Sequence, residues 1–415
     1  MVVRNKANTL LENYFWIFFI SQIGWFVTGK QYIISLFFPV LLYYLAFGSK
    51  KSFSGIFDII VYSILSCMLF TWLCNDYPNK LSLIFRCVIG EISYILAYFI
   101  GKRCEILSII VDKAKVPLLI CSIIGIIWFF RPPGAWYTAT YDDYSAAGLV
   151  SGFSDLLRLK SIFSSPYVMS YLCALSFITI IFKKKLLNSD YAILVIYALV
   201  MVLCMMRAPI FGVIIAIIII LVEKVRCGLI NITKLVLFMI PISLSIIVVS
   251  SVIQQNIDLD TLNFLNEKFL SVTDGGSDFI KQRIDHQGGF ERNYNFIGDG
   301  AGRHAIYSDD YNPQTSIRDS EYIRIIVELG YFGLILYILL LLFAVLKCIR
   351  YYKYLKMDMC VISFYIITMI GANSLTTQDK HGFIFWLIMG HIASFNLKKR
   401  NNLKKSLLPG NNHSL

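Results

Sequence analysis

The chain has 415 residues, of which 57% are hydrophobic, 15% aromatic and only 15% charged, where a soluble domain carries about 25% charged residues. Its mean hydropathy is +0.66, and apolar runs of the roughly 20 residues needed to span a bilayer recur from end to end, which excludes a soluble fold and the short alternating segments of a β-barrel. The net charge of +12 lies in short basic clusters between those runs, the pattern of cytoplasmic loops rather than of a nucleic-acid-binding face.

In chain order, the polar start, Met1 to Glu12, carries Arg4 and Lys6 and is expected in the cytoplasm. Spans are predicted at about 13–28 and 32–48, joined outside by Gly29-Lys30, with Ser49-Lys50-Lys51 returning inside. The third covers about 54–74, followed by the external turn NDYPNK, and the fourth about 81–100, ending at the basic Gly101-Lys102-Arg103. After an interfacial stretch with Lys113 and Lys115, the fifth covers about 116–130. A long external loop, 131–165, leads to the sixth at about 166–182, and Lys183-Lys184-Lys185 marks the inside. The seventh and eighth, about 190–206 and 210–222, are joined by the tight external turn Arg207-Ala208-Pro209. The ninth, about 233–252, precedes the second long loop, 253–320. The tenth, eleventh and twelfth cover about 322–346, 357–374 and 382–396, and the basic tail falls inside.

With about twelve helices every strong basic cluster falls on one side, as the orientation rule requires. The expectation is an all-α polytopic membrane protein forming a single membrane domain over 1–415. Both termini are expected in the cytoplasm, with a large periplasmic loop between the ninth and tenth helices. The ten cysteines show neither metal spacing nor a paired framework and read as small core residues. The first apolar run has no small-residue cleavage site, so no cleaved signal peptide is expected.

Within the spans, Asp58, Arg86 and Glu91 are ionisable groups in hydrocarbon, where they mark function or pair between helices. Outside, four arginines stand out: Arg158, Arg207, Arg303 and Arg318. A guanidinium is always charged and meets phosphate oxygens in a bidentate way, so several around one cavity would hold a pyrophosphate without a metal. The bland alternative is that each anchors a helix end at the headgroup level. The run Gly298-Asp299-Gly300-Ala301-Gly302 is either a backbone cradle for an anion or a plain flexible turn. His304, Asp319 and Glu321 are candidate general bases, and Asp319 alternatively caps the tenth helix. Gly330 and Gly333, after Glu328, read as close helix packing. The acidic pairs Asp142-Asp143 and Asp309-Asp310 sit among tyrosines and read first as solvated turns.

Three of these places resemble the O-antigen polymerase and O-antigen ligase superfamily. RLKSIFSSP, Arg158 to Pro166, is similar to the family's Arg-x-x-Gly-x-Phe-x-Asn-Pro, with Ser161 at the glycine and Ser165 at the asparagine. Arg207 stands at the external end of a helix pair, and GDGAG is followed by DSEYIRIIVELGYFG, Asp319 to Gly333. The resemblance implies a bacterial inner-membrane glycosyltransferase with its large loops in the periplasm. Its substrate would be an undecaprenyl pyrophosphate-linked oligosaccharide in the membrane lipid. A polymerase moves the growing glycan from its carrier to a hydroxyl of the next lipid-linked repeat unit, and a ligase moves the finished chain to lipid A-core. Ligases of the family carry a histidine at about the place of Asp319 and Ser320; its absence here favours the polymerase. Arg158, Arg207, Arg303 and Arg318 would bind the pyrophosphate, and Asp319, Glu321 or His304 would activate the acceptor.

No cofactor is implied, because the donor is already activated, and the implied protein partner is a separate chain-length regulator; nucleic acid is not expected. Many lipid-linked glycosyltransferases carry an acidic metal motif in the first external loop. Here that loop is Thr28-Gly29-Lys30-Gln31, without a carboxylate, so metal-independent chemistry is expected. The rival from another class is a transporter or flippase for lipid-linked oligosaccharides, which places its substrate near the bilayer midplane.

Overall fold

The computed structural model describes residues 16, 41–44, 46, 55–76, 80–102, 106–131, 149–150, 153–157, 159, 161–163, 166–182, 186–204, 206–226, 295–303, 320–370 and 382–395. The predicted ninth span, most of the first and second, and both terminal segments lie outside them.

The described chain is helical. Helix α1 is Ile56–Cys74, α2 Lys80–Gly101, α3 Ile106–Phe130, α4 Pro166–Ile181, α5 Asn188–Leu203 and α6 Arg207–Arg226. After the second long loop come α7 (Glu321–Arg350), α8 (Tyr352–Thr368) and α9 (Gly382–Ser394). Among the described residues four stretches, α1, α2, Ala208–Arg226 of α6, and α7, are long and apolar enough to cross a membrane, and α4, α5 and α9 are shorter apolar helices. The chain is a helical membrane protein.

Its exposed surface agrees with that class. On α6, Ile214, Ile218 and Val222 are exposed, and on α7 Ile335, Ile338, Leu342, Leu346 and Ile349 form a continuous exposed row. Apolar residues at three- and four-residue spacing on the outside, with an apolar core as well, make these helices hydrophobic all round, as membrane spans are.

Polar groups sort to the two ends of the bundle. At one end, Lys102 reaches Asp58 at 2.8 Å, Lys115 pairs with Asp190, Lys356 with Glu223, and His391 Nδ1 lies 2.9 Å from Asp358. Lys347 Nζ donates to the Ala393 carbonyl at the same end. At the other end, Asn75 donates to Gly298 O, Leu159 N to Leu203 O, and Glu321 N to Met369 O. Lys102–Asp58 joins the end of α2 to the start of α1, and Glu321–Met369 the start of α7 to the end of α8, so these neighbours run in opposite directions.

Without a hydrophobic drive between helices in lipid, small residues let backbones approach. Gly101 on α2 and Gly390 on α9 do this: a Cβ on either would lie 1.9 Å from a backbone carbonyl of the other helix. The described cysteines are free, and all but Cys74 are buried.

Several expectations change. Helix α3 begins at Ile106, not near 116, because Lys115 turns inward to Asp190 instead of resting at an interface. Helix α6 begins at Arg207, taking Pro209 into its first turn, where a missing N–H costs nothing. In the first long loop, read as irregular, Leu149–Val150 and Phe153–Leu157 form an antiparallel pair. Helix α2 contains a π-helical stretch, Val88–Ile92, and α7 is broken at Gly330 (φ 74, ψ −176).

Candidate functional site

The start of α7 is capped by Ser320, whose Oγ accepts from Ile323 N; the cap falls one residue after Asp319. The next two turns carry Glu321, Arg324 and Glu328 at spacings of three and four, which puts all three on one face. Arg324 donates from Nε to Glu321 Oε2 (3.2 Å) and from Nη2 to Glu321 Oε1 (2.9 Å), a bidentate grip. Its Nη1 donates to Glu328 Oε2 at 2.5 Å and lies 3.7 Å from Glu91 Oε1 of α2. Arg324 is 4% exposed and the three carboxylate residues 1% or less.

The π-helical stretch of α2 includes Glu91. A widened turn of this kind shifts the side chains of a helix, and such bulges recur at functional sites. Glu91 therefore pairs between helices, as one of the two sequence readings had it, with Arg324. Buried charges are tolerated only when paired and hydrogen-bonded, and breaking such a set is costly. Among the described residues no three Asp, Glu, His or Cys side chains are grouped to hold a metal ion.

One turn further, α7 breaks at Gly330, and five of the freed backbone groups find partners elsewhere. In an unbroken helix, Val327, Glu328 and Leu329 carbonyls would accept from residues 331 to 333. Here Asp299 N donates to Val327 O (2.8 Å), Gly300 N to Glu328 O (3.1 Å) and Cys67 Sγ to Leu329 O (3.6 Å). In return Tyr331 N donates to Asn295 O (3.3 Å) and Phe332 N to Phe296 O (3.4 Å). Helix α1 holds the same loop through Trp72 Nε1 to Ala301 O, Asn75 Nδ2 to Gly298 O, and Ala301 N to Thr71 Oγ1.

The glycine run is thus neither of its two sequence readings. The amide N–H groups of Asp299, Gly300 and Ala301 are spent on protein acceptors, so they do not cradle an anion, and a turn held by that many bonds is not a loose one. Gly330 is likewise not a simple packing glycine. A Cβ there would lie 2.2 Å from Phe296 O, and one on Gly298 would lie 2.4 Å from Gly330 N. Further along this loop is the half-buried Arg303, whose N–H donates to Gly300 O.

Two further segments arrive at this end. Leu159, next in sequence to Arg158, is buried, and its N–H donates to Leu203 O, four residues before Arg207. Cys204 Sγ returns a bond to Leu159 O at 3.1 Å. Ser161 has φ 59, a left-handed conformation that costs a side chain roughly 1–2 kcal/mol and that glycine takes freely. Its Oγ offsets part of that cost by donating to Cys121 O at 2.6 Å, and Gly125 gives the room.

From there the chain enters α4. Tyr167 and Tyr171 meet with tilted rings at 4.4 Å, and Tyr171 packs edge-on against Phe364 of α8. Gly212, five residues after Arg207, packs on Phe364 and Thr368 of α8, and Met369 receives Glu321 N. The starts of α4, α6 and α7 therefore gather around the end of α8. Helix N-termini carry partial positive charge, so this end of the bundle favours an anion.

Of the sequence candidates, Glu321 is wholly buried and held by Arg324, Arg303 lies in the docked loop, and Arg207 is the first residue of α6. Arg158, His304, Arg318 and Asp319 lie outside the described residues, as do the acidic pairs Asp142-Asp143 and Asp309-Asp310. Arg324 was missed in the sequence, although Glu-x-x-Arg-x-x-x-Glu within an apolar run is a visible signal of a buried pair. No protein-family model matches the chain, and no curated protein matches it significantly.

Proposed function

We propose that the protein is a surface-polysaccharide polymerase of the O-antigen polymerase and ligase type. In this reading it transfers a growing glycan from undecaprenyl pyrophosphate to a hydroxyl of the next lipid-linked repeat unit. The observation that carries the reading is the gathering, at one end of the bundle, of the segments that flank Arg158 and Arg207 with the first turn of α7. The left-handed backbone at Ser161 supports it, since the family pattern has glycine at that position.

The chemistry follows from the charges. Cleaving a sugar–pyrophosphate bond builds negative charge on the leaving group, and fixed cations aimed at it lower the barrier. Arg158, Arg207, Arg303 and Arg318, with three helix N-termini, would supply that charge on the periplasmic face. An acceptor hydroxyl also needs a base. Glu321 has both oxygens engaged by Arg324, so it serves better as the strut that fixes α7, leaving Asp319 and His304 as the better proton acceptors.

A broken helix is also a transporter feature, where freed backbone groups coordinate the cargo. Here the Val327 and Glu328 carbonyls and the Tyr331 and Phe332 amides are taken up by the Asn295–Gly300 loop and the Leu329 carbonyl by Cys67 of α1, which favours the transferase. Deleting the gene from a producing strain tests the reading. A polymerase defect leaves single repeat units on the lipid core, a ligase defect leaves none, and a flippase defect traps units inside the cell. A full-length ladder in the deletion strain would overturn the proposal.

A further inference from the structure

At the opposite end of the bundle, away from the glycan site, a cavity of about 860 Å³ opens between the end of α6 and the α7–α8 junction. Four cations line it: Arg226, Arg350, Lys353 and Lys356. Among the described residues the lining holds one carboxylate, Glu223, which is taken up by Lys356 and by the Tyr352 hydroxyl. The Arg350 guanidinium lies over the Tyr351 ring at 5.6 Å. Arg226 and Lys353 are exposed and have no carboxylate partner among the described residues.

The remaining wall is largely apolar, made of aliphatic side chains, Met359 and the rings of Tyr351, Tyr352 and Tyr354. Ile218, Val222 and Ile349 are each at least half exposed and continue the lipid-facing rows of α6 and α7. A ligand suited to this cavity carries negative charge at one end and hydrocarbon at the other. Its volume is in the range of sites that bury a small-molecule ligand. The end of α6 adds partial negative charge, which the nearby cations offset, leaving the rim basic.

We infer that this cavity binds the headgroup of an anionic phospholipid, with the phosphate between Arg226 and Lys353 and the acyl chains along Ile218, Val222 and Ile349. Basic pockets between membrane helices take such headgroups, and each added Lys or Arg near the surface raises affinity about five-fold. The site is independent of the glycan chemistry and makes the protein's stability depend on lipid composition.

The test uses the purified full chain, delipidated in a neutral detergent. Phosphatidylglycerol is expected to be retained in native mass spectrometry and to raise the melting temperature, while phosphatidylcholine and soluble glycerol phosphate do neither. Arg226→Gln with Lys353→Gln is expected to weaken retention roughly 25-fold, and Arg226→Lys with Lys353→Arg to restore it. Both side chains are exposed, so the variants keep the wild-type elution volume. Equal retention of phosphatidylglycerol by the Gln variant and wild type would overturn the inference. So would an equal effect of phosphatidylcholine or of glycerol phosphate.

Discussion

Replacing Gly330 by alanine isolates the join between α7 and the glycine-rich loop. The backbone there (φ 74, ψ −176) lies in a region essentially reserved for glycine, and holding alanine in it costs about 2 kcal/mol. The new methyl group would lie 2.2 Å from Phe296 O and 2.7 Å from Gly298 N, both backbone atoms, so the loop must retreat by about 1 Å. That retreat takes the 3.3 and 3.4 Å bonds from Tyr331 and Phe332 out of range, at about 1 kcal/mol each. The total is about 4 kcal/mol. Gly55→Ala is the control: Gly55 has φ 69 but nothing within 4 Å of its would-be Cβ, so it carries the backbone cost alone. Thermal unfolding in one detergent should therefore rank Gly330→Ala well below Gly55→Ala. Amide exchange should lose protection at Asp299 and Gly300 only in the former. Equal melting temperatures with unchanged exchange would refute the reasoning.

Arg324→Met leaves Glu321, Glu328 and Glu91 without their guanidinium and should destabilise by about 3–5 kcal/mol, with Glu328→Gln costing clearly less, as read by chemical denaturation. At Ser161, glycine should stay within about 1 kcal/mol of wild type, because relief of the left-handed strain offsets the lost bond to Cys121. Alanine should melt lower and valine lowest; valine as stable as glycine would contradict the assignment. Gly390→Ala drives a methyl group into Tyr98 O across the α2–α9 crossing, and the melting temperature should fall by an amount equivalent to about 1–3 kcal/mol.

The helices were legible because apolar runs bounded by basic clusters need no partner to be recognised: α1 and α4 lie within a few residues of their predicted ends. Breaks inside helices were not. A glycine in an apolar run looks the same whether it lets helices approach, as Gly101 and Gly390 do, or breaks one, as Gly330 does. What decides is the loop that satisfies the broken helix, and that loop joins Asn295 to Tyr331 in space by a contact no periodicity reveals. The Arg324 network was half legible: Glu321 and Glu328 are its local partners, but Glu91 comes from a distant helix through a π-helical shift that leaves no mark in the sequence. Lys115 looked interfacial because its partner, Asp190, belongs to another helix.

The most direct measurement reconstitutes the purified protein in vesicles with undecaprenyl pyrophosphate-linked repeat units and a metal chelator. The account predicts that undecaprenyl pyrophosphate is released one for one with lipid-linked dimers and longer chains, and that Arg158→Ala and Arg207→Ala each lower the rate by about a hundredfold or more at unchanged protein level. Repeat units that stay single, or that cross the vesicle membrane intact, would contradict it, as would wild-type elongation by both arginine variants.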